Sequence, residues 1–274
     1  MAALDSQMHK AIQENVGLAT DLLLDAEVAI VTQDDRYVVV RTPEAPDYFA
    51  GNRLVLDACP APGDRERLED DFAQRIGTPP TIAHRSFAWP EDAAGTIDLD
   101  AYIAHGYAAS MYAVLTAERS TMRSTAFNGS VEIRLFDSNN DWDDWTSISL
   151  AQMPDAASDD VSRRCVAYQR NAYRRLIEKQ LGNWWGAFID GELVGSLGLF
   201  FFGNVGRFQS IVTREDQRNK GICRTLLTEV VKRTAGMRDR LVMVADEAHH
   251  AIRIYESLGF VRQARIGNLC RAPG

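Results

Sequence analysis

The chain has 274 residues, of which 46% are hydrophobic and 25% charged, and its formal net charge is -8 at pH 7. This composition is that of a folded protein of one or two domains and excludes a disordered chain. The acidic balance disfavours nonspecific binding to nucleic acid, and the four cysteines, with no Cys-x-x-Cys pair among them, suggest neither a zinc site nor a disulfide framework.

The N-terminal residues lack the basic region and the apolar stretch of a signal peptide. No apolar run reaches the roughly 20 residues that are needed to cross a bilayer. We therefore expect a cytoplasmic protein with no membrane partner, whose cysteines are free thiols.

The N-terminal half is predicted to alternate helices and short strands. Residues 7–24 place apolar side chains on one face of a helix. Two β-branched runs, 28–31 and 37–41, flank Asp34-Asp35 and indicate a hairpin. Further strands are expected at 54–56, 81–89 and 112–117, and helices around 68–76 and 99–105.

A polar segment separates the two halves. Residues 118–130 are small, polar and poor in aliphatic side chains, so the domain boundary is expected there. We predict an N-terminal domain over residues 1–120, a linker at 121–130 and a C-terminal domain over 131–274.

The C-terminal half predicts the order β-α-α-β-β-β-α-β-α-β, which is a mixed α/β fold with a mixed sheet. Asp190-Gly191 indicates a tight hairpin between two of the strands, and Asp141 is a candidate N-cap of the first helix. Strands are expected at 131–136, 184–189, 193–200, 208–213, 241–245 and from Phe260, and helices at 141–152, 160–180, 221–234 and 248–258.

The most informative segment is 209–223, where an apolar strand enters a short polar loop that opens into a helix. The first turn of a helix has unpaired N–H groups and the positive end of the macrodipole, which together suit a phosphate. Gly221 removes the Cβ that would keep a ligand from the backbone. Arg218, Lys220 and Arg224 add positive charge. The alternative is a plain strand-to-helix turn with a solvated basic loop.

Three motifs in this order resemble the GNAT superfamily of acyl-CoA N-acyltransferases. Arg218-x-x-Gly221-x-Cys223 is similar to the acetyl-CoA loop of that family, and residues 251–260 are similar to its last helix and the turn that follows. The hairpin at 188–195 resembles its central strands. The resemblance covers about half of the chain and implies the GNAT fold, with acetyl-CoA as co-substrate and no metal.

The resemblance also implies which residues hold the cofactor. The pyrophosphate would rest on the main-chain amides of Asn219, Lys220, Gly221, Ile222 and Cys223, with Arg218 at the head of the loop and Arg224 adding charge. The pantetheine arm would pair with the strand before the loop, at Ile211, Val212 and Thr213, where that strand splays from its neighbour at 241–245. Cys223 departs from the usual Gly or Ala, either as a small filler or as a thiol whose pKa is lowered by the helix N-terminus.

Tyr255 matches the tyrosine that protonates the leaving thiolate in this family, and a core aromatic is the alternative. The general base is less defined, because Gln209 stands where many members carry Glu, and an amide cannot accept the amine proton. Asp246 and Glu247, at the end of a strand, are the candidates for that role. A backbone N–H on the splayed strand would polarise the thioester carbonyl.

The N-terminal half contains a second tyrosine-glycine motif. Tyr102-x-x-x-Gly106-Tyr107 repeats the spacing of Tyr255-x-x-x-Gly259-Phe260, each on a helix that follows a strand, which suggests a degenerate copy of the same fold. The corresponding loop at 61–65 has Pro60 and Pro62 in or beside it, and proline lacks an amide donor. We therefore expect no CoA there. Trp89, Tyr48 and Phe49 either shape an acceptor pocket or belong to the core.

Two functions remain open from the sequence. The first is an acetyl-CoA-dependent N-acetyltransferase that acts on a primary amine, as a monomer or homodimer. The second is a non-catalytic acyl-CoA-binding or regulatory module that has lost the general base. A weaker reading is a pseudo-dimer whose second half binds a different phosphorylated ligand.

Overall fold

The computed structural model describes residues 10–93, 97–123, 127–153 and 160–273. The chain forms two compact units. Unit 1 comprises Met1–Leu115, Val244–His250 and Arg262–Gly274, and unit 2 comprises Thr116–Met243 and Ala251–Val261. Residues 7–9 of the helix predicted at 7–24, and residues 124–126 of the linker predicted at 121–130, lie outside the described residues.

The described part of unit 1 contains helices and short strands. Its elements in chain order are α1 (Lys10–Glu14), α2 (Val16–Val28), β1 (Ile30–Gln33), β2 (Val38–Arg41), β3 (Arg53–Val55), α3 (Arg65–Arg75), β4 (Arg85–Glu91), α4 (Asp100–Ile103) and β5 (Ala108–Glu118), whose last three residues lie in unit 2. β1 and β2 pair antiparallel, which confirms the predicted hairpin, and β3 pairs parallel with β4.

The last strand of the chain, β11 (Val261–Arg271), completes the sheet of unit 1. Residues 265–271 pair antiparallel with residues 85–91 of β4. Gly267 faces Trp89 so closely that a Cβ there would meet the indole ring at 2.0 Å. Trp89 is fully buried with Phe72, Phe87 and Leu269, so it belongs to the core.

The elements of unit 2 are β6 (Glu132–Leu135), α5 (Asn139–Ala151), α6 (Asp160–Glu178), β7 (Gly182–Ile189), β8 (Glu192–Phe202), β9 (Val205–Thr213), α7 (Ile222–Arg233), β10 (Arg240–Asp246), whose last residues lie in unit 1, and α8 (Ala251–Ser257). In its sheet, β6, β7, β8 and β9 pair antiparallel in that order, and β10 joins β9 parallel. With β11, this confirms the predicted order of the C-terminal half.

Local turn chemistry explains where these elements join. Asp190 and Gly191 have φ angles of 52° and 83°, the left-handed conformation that a two-residue hairpin loop requires. The apolar face of α7, which includes Leu226, Leu227 and Val230, is fully buried. The loop between β9 and α7 is therefore anchored at one end by a paired strand and at the other by a packed helix.

The predicted N-cap of α5 is wrong by three residues. Ser138 is the N-cap, because its hydroxyl accepts from the Asp141 amide at 3.2 Å, and the Asp141 carboxylate accepts from the Ser138 amide at 3.2 Å. This is a capping box, in which the acidic residue stands at the third helical position. Asp141 also receives two bonds from the Arg134 guanidinium, at 2.7 and 3.0 Å.

Within the described ranges, no helix combines the length and the apolar character that a bilayer-spanning segment needs. No group of three or more His, Cys, Asp or Glu side chains in the same ranges is arranged to hold a metal ion. All four cysteines are free thiols, as predicted.

Candidate functional site

The loop between β9 and α7 has a backbone that only a few residue types tolerate. A single 3-10 turn, Glu215–Gln217, follows the strand, and then Asn219 and Gly221 adopt φ angles of 63° and 76°. Arg214 braces the start of the loop through the Asp216 carboxylate, at 2.8 Å, and Glu192, at 3.2 Å. Asn219 and Gly221 lie only two positions apart in the left-handed conformation. The main-chain N–H groups around them therefore face the same side of the loop.

The amides at the start of α7 are open. The N–H groups of residues 219–224 donate to no other described residue, and the first helical bond runs from the Thr225 amide to the Gly221 carbonyl at 3.0 Å. A Cβ built on Gly221 would meet no atom within 4 Å, so the backbone is accessible there. The predicted region therefore has free donors at the positive end of a helix.

Two nearby cations have no competing carboxylate. Arg218 and Arg224 form no salt bridge with any residue in the described parts of the chain, and both are partly exposed. Lys220 is directed at the Gln217 side chain, 2.9 Å away. The arginines are thus available to a bound anion, whereas Lys220 is already engaged.

Asn128, whose role is not predictable from the sequence, holds the loop in place through two hydrogen bonds. Its side-chain amide donates to the Lys220 carbonyl at 2.8 Å, and its main-chain amide donates to the Thr225 hydroxyl at 3.0 Å. Asn128 falls in the segment predicted as a linker. The only local signal is Asn128-Gly129, a turn dipeptide, which does not indicate a role in holding a helix start.

β9 is paired on one side along its length and on the other only at its beginning. Its ladder with β10 covers residues 205–207 and 240–242. No further register with β10 is formed by residues 208–213 of the described strand. Ile211, Val212 and Thr213 are half-buried, so main-chain groups in this stretch are open to a ligand strand, as the splay hypothesis requires.

A β-bulge lies in this half of β9. Ser196 of β8 stands opposite Val212, but Gly198, two residues on, stands opposite Gln209, so β9 has one extra residue. Ser210 lies in the bulge with a φ of 42°. Its hydroxyl is 2.8 Å from the Tyr173 hydroxyl of α6, a contact between distant residues that is not predicted from the sequence.

Tyr255 lies on α8, and only 5% of its surface is exposed. Burial, with a smaller contribution from the nearby Cys223 thiol, raises the pKa of Tyr255 far above its usual range. The hydroxyl forms no hydrogen bond with a described residue. The phenol is therefore held protonated with its proton uncommitted.

A Schellman motif ends the helix that carries Tyr255. The Phe260 amide donates to the Tyr255 carbonyl and the Gly259 amide to the Glu256 carbonyl, both at 3.1 Å. Gly259 has a φ of 106°, and a Cβ there would lie 2.9 Å from the Thr121 carbonyl oxygen. The glycine in the motif is therefore required by both backbone conformation and space.

Of the two alternatives for Cys223, the thiol with a lowered pKa is contradicted by its surroundings. Burial raises the pKa of its thiol to about 12, and the nearby Arg224 offsets this only in part. Burial disfavours the charged thiolate, and it is the largest cause of the shift. The structure therefore favours the small filler over the reactive thiol.

Asp246 and Glu247 belong to unit 1. The Asp246 carboxylate is exposed and accepts from the Ala248 amide at 2.9 Å. The Glu247 carboxylate lies 3.8 Å from the Arg262 guanidinium, and the Glu247 amide donates to the Met111 carbonyl. Of the two, Asp246 has the more available oxygen. The rings of His249 and His250 stack at 4.4 Å, and both are exposed.

The N-terminal tyrosine-glycine motif ends in the same way. The Tyr107 amide donates to the Tyr102 carbonyl at 3.1 Å, and the Gly106 amide to the Ile103 carbonyl at 3.0 Å, with Gly106 at a φ of 81°. These are the two bonds and the left-handed glycine of the C-terminal motif. The matching geometry supports the internal copy that the spacing suggests.

The loop of unit 1 differs in that its polar groups are already paired. The Tyr102 hydroxyl donates to the Ala61 carbonyl at 3.0 Å, and the Ala61 amide donates to the Asp64 carboxylate at 3.0 Å. An internal carboxylate thus occupies a donor that an anion would need. Phe49 of the same unit stacks on His84 with ring centroids 4.3 Å apart, which fits core packing.

Residues 142–260 match the model of the acetyltransferase (GNAT) family. This confirms the resemblance inferred from the loop and the last helix. No curated protein matches the chain.

Solved structures share the fold of the whole chain. A functionally unknown conserved protein from Staphylococcus epidermidis ATCC 12228 has a TM-score of 0.72 at 18% identity, over 93% of this chain and 97% of that one. A GCN5-related N-acetyltransferase from Kribbella flavida has a TM-score of 0.64 at 17% identity, over 98% of both chains. A tandem GNAT protein from the clavulanic acid biosynthesis pathway has a TM-score of 0.52 at 14% identity, over 81% and 75%. The predicted mixed α/β GNAT fold is confirmed.

Proposed function

We propose, from the GNAT-family domain at residues 142–260, that this protein is an acetyl-CoA-dependent N-acetyltransferase that acts on a primary amine. The observation that carries the proposal is the row of free amides at residues 219–224, at the start of α7 and beside the unpaired half of β9. A diphosphate and an extended amide-bearing arm are the two parts of a ligand that these features suit.

The loop would hold the diphosphate of CoA through main-chain donors. Charge-assisted bonds from backbone amides are strong, and Gly221 lets the oxygens approach without a side chain in the way. Arg218 and Arg224 are partly exposed and would add positive charge beside the diphosphate. The pantetheine arm would pair with Ile211 to Thr213, where β9 has left β10.

The transfer is direct. The neutral amine nitrogen attacks the thioester carbonyl carbon, the carbon–sulfur bond breaks, and the amine gives up one proton. Tyr255 would donate its proton to the departing thiolate and recover one from solvent. Asp246 or Glu247 would accept the proton of the amine, and the more available carboxylate of Asp246 favours that residue. The products are an amide and CoA as its thiol.

Gln209 favours a second candidate, a module that binds acyl-CoA without transferring the acyl group. Both candidates need the same loop, so cofactor binding does not separate them. The two candidates are separated by measuring the release of free CoA thiol from acetyl-CoA in the presence of a panel of primary amines. Release above the amine-free rate supports the transferase, and binding with no release supports the module.

The N-terminal half is proposed to be a degenerate copy with no CoA of its own. Its loop carries two prolines, and its Ala61 amide is bonded to Asp64. The free thiols fit a reducing compartment, for which the cytoplasm is our proposal.

Calorimetric titration with CoA tests the proposed site. Gly221→Trp should weaken CoA binding by about a hundredfold or more, because an indole would cover the open amides and two or more charge-assisted bonds would be lost. Gly63→Trp is the control for an added indole, since Gly63 lies in the corresponding loop of unit 1 and is equally unobstructed, although only Gly221 has a positive φ. Equal affinity in the wild type and Gly221→Trp would remove the proposal.

A further inference from the structure

Ser210 adopts a conformation that serine rarely takes. Its φ of 42° lies in the left-handed region, where a Cβ crowds the following carbonyl at a cost of about 1 kcal/mol or more. Ser210 is exposed, so core packing does not hold it in place. Something else in the structure must stabilise the bulge.

Tyr173 supplies that restraint. Its hydroxyl is 2.8 Å from the Ser210 hydroxyl. Its ring contacts Trp184 at 4.4 Å between centroids, Trp145 at 5.9 Å and Phe200 at 6.4 Å. Aromatic rings on three sides hold the phenol, so its hydroxyl has one position. Forming the hydrogen bond to Ser210 therefore costs little conformational entropy.

The aromatic cluster is joined to β9 through the sheet. Trp184, Gly198 and Gln209 are successive cross-strand partners on β7, β8 and β9, so they lie on one face. Because Gly198 has no side chain, the Trp184 ring can lie over β8. A Cβ on Gly198 would meet that ring at 2.5 Å. Tyr173 contacts the Trp184 ring, and its hydroxyl reaches the bulge of β9.

We infer that Tyr173 is a positioning residue for cofactor binding, acting through Ser210. The tyrosine holds the bulge, and the bulge sets the direction of the main-chain groups in the part of β9 that is not paired with β10. Those groups are the ones assigned to the pantetheine arm, so the inference rests on the proposed function.

Two substitutions at Ser210 separate the effect of the backbone strain from that of the hydrogen bond made by the hydroxyl. Ser210→Ala removes the hydroxyl and keeps the Cβ, so the bulge loses its restraint while the strain remains. Ser210→Gly removes both, and glycine takes a positive φ without cost. Both changes are at an exposed position and leave the aromatic cluster intact.

The experiment is calorimetric titration with CoA of the wild type, Ser210→Ala, Ser210→Gly, Tyr173→Phe and the double variant Tyr173→Phe/Ser210→Gly. We expect Ser210→Ala and Tyr173→Phe each to weaken CoA binding about fivefold, the effect of one lost hydrogen bond. Ser210→Gly and the double variant should stay within about twofold of the wild type, since glycine makes the tyrosine hydroxyl unnecessary. Thermal unfolding of each variant reports its folding.

The other outcomes overturn the inference in different ways. Equal weakening by Ser210→Ala and Ser210→Gly would show that the serine hydroxyl touches the ligand. Weakening by Tyr173→Phe that persists in the Ser210→Gly background would show that Tyr173 acts through the core. Unchanged affinity in Ser210→Ala would show that the bulge needs no restraint. Failure of the wild type to bind CoA would remove the proposed function itself, and the inference with it.

Discussion

Tyr102 and Tyr255 stand at the same place in two copies of one motif, but their hydroxyls differ. That of Tyr102 donates to the Ala61 carbonyl, and that of Tyr255 bonds to no described residue. Burial raises the pKa of Tyr102 to about 12 and raises that of Tyr255 further. The first phenol is therefore a structural donor, and the second retains a proton that a ligand can receive.

The pair provides a matched comparison. Tyr255→Phe should lower the rate of thiol release by about a hundredfold or more while CoA affinity stays unchanged, because the variant lacks the proposed general acid but keeps the loop. Tyr102→Phe should leave the rate unchanged and lower the free energy of unfolding by about 1 kcal/mol, for one hydrogen bond. A discontinuous assay of free CoA thiol measures the rate, and urea denaturation measures the free energy of unfolding. Similar rates in both variants would contradict the assignment of Tyr255.

Cys223 should be chemically inert despite its place at a helix start. A thiol with a pKa of about 12 has almost no thiolate at pH 8, and thiolate is the reactive form. We expect the folded protein to resist iodoacetamide at Cys223 at pH 8, and Cys223→Ala to bind CoA like the wild type. Mass spectrometry of alkylated peptides checks this, and rapid labelling of Cys223 under native conditions would contradict it.

At the scale of the elements, the turn after α8 is more constrained than its copy after α4. Gly259 combines a φ of 106° with a Cβ position 2.9 Å from the Thr121 carbonyl, whereas Gly106 has a φ of 81° and its nearest contact is at 3.9 Å. Gly259→Ala should therefore destabilise the protein by about 2 to 3 kcal/mol, and Gly106→Ala by about 1 kcal/mol. Denaturant unfolding compares them, and equal losses would contradict the close approach.

The Arg134–Asp141 pair at the start of α5 gives a pH-dependent contribution. Burial alone would raise the pKa of Asp141, but bonds from Arg134 and from the Asp137 and Ser138 amides lower it well below its usual range. Because the pKa of Asp141 is lower in the folded state, the ionised carboxylate contributes its full stability above the unfolded pKa of about 3.9. That contribution is lost progressively as the pH falls from this value through the lower pKa of the folded state.

Asp141→Asn tests this contribution. At pH 7 the variant should lose about 2 kcal/mol of unfolding free energy, the value of a hydrogen-bonded charge pair. The difference from the wild type should shrink steadily from about pH 4 downward, because the wild-type carboxylate also becomes protonated. Urea denaturation at several pH values measures it, and a difference independent of pH would contradict the ionic origin.

At the scale of the whole molecule, each compact unit is built from separate stretches of chain. Residues 262–274 group with the N-terminal residues, and β11 pairs with β4 over seven positions. Gly267 covers Trp89, and Leu269 is buried in the same core. The division at 121–130 that composition favours stays a prediction, and it can be tested with a fragment.

A fragment of residues 1–120 lacks β11. We expect it to show no cooperative thermal transition, because Trp89 and Phe87 would lose their cover and β4 would have an open edge. Adding a synthetic peptide of residues 261–273 should restore a transition. Circular dichroism during heating measures both, and cooperative unfolding of the fragment alone would support a self-contained N-terminal domain.

Features set by neighbouring residues could be predicted from the sequence. The element order of the C-terminal half, the Asp190-Gly191 hairpin and the open loop before α7 follow from periodicity and turn chemistry. Contacts between distant residues could not, such as Asn128 with Lys220 or Tyr173 with Ser210. Polar pairs of this kind leave no period in the sequence, and a bulge appears only when two strands are paired.

The late position of β11 has a consequence for synthesis. On the ribosome, β4 emerges long before residues 265–271 are made, and at about 5–20 residues per second the delay is about ten seconds or more. During that interval Trp89 and the edge of β4 have no covering strand. The nascent chain therefore exposes an aggregation-prone edge until translation nears its last residues, and a chaperone that shields apolar strands would raise the yield of folded protein.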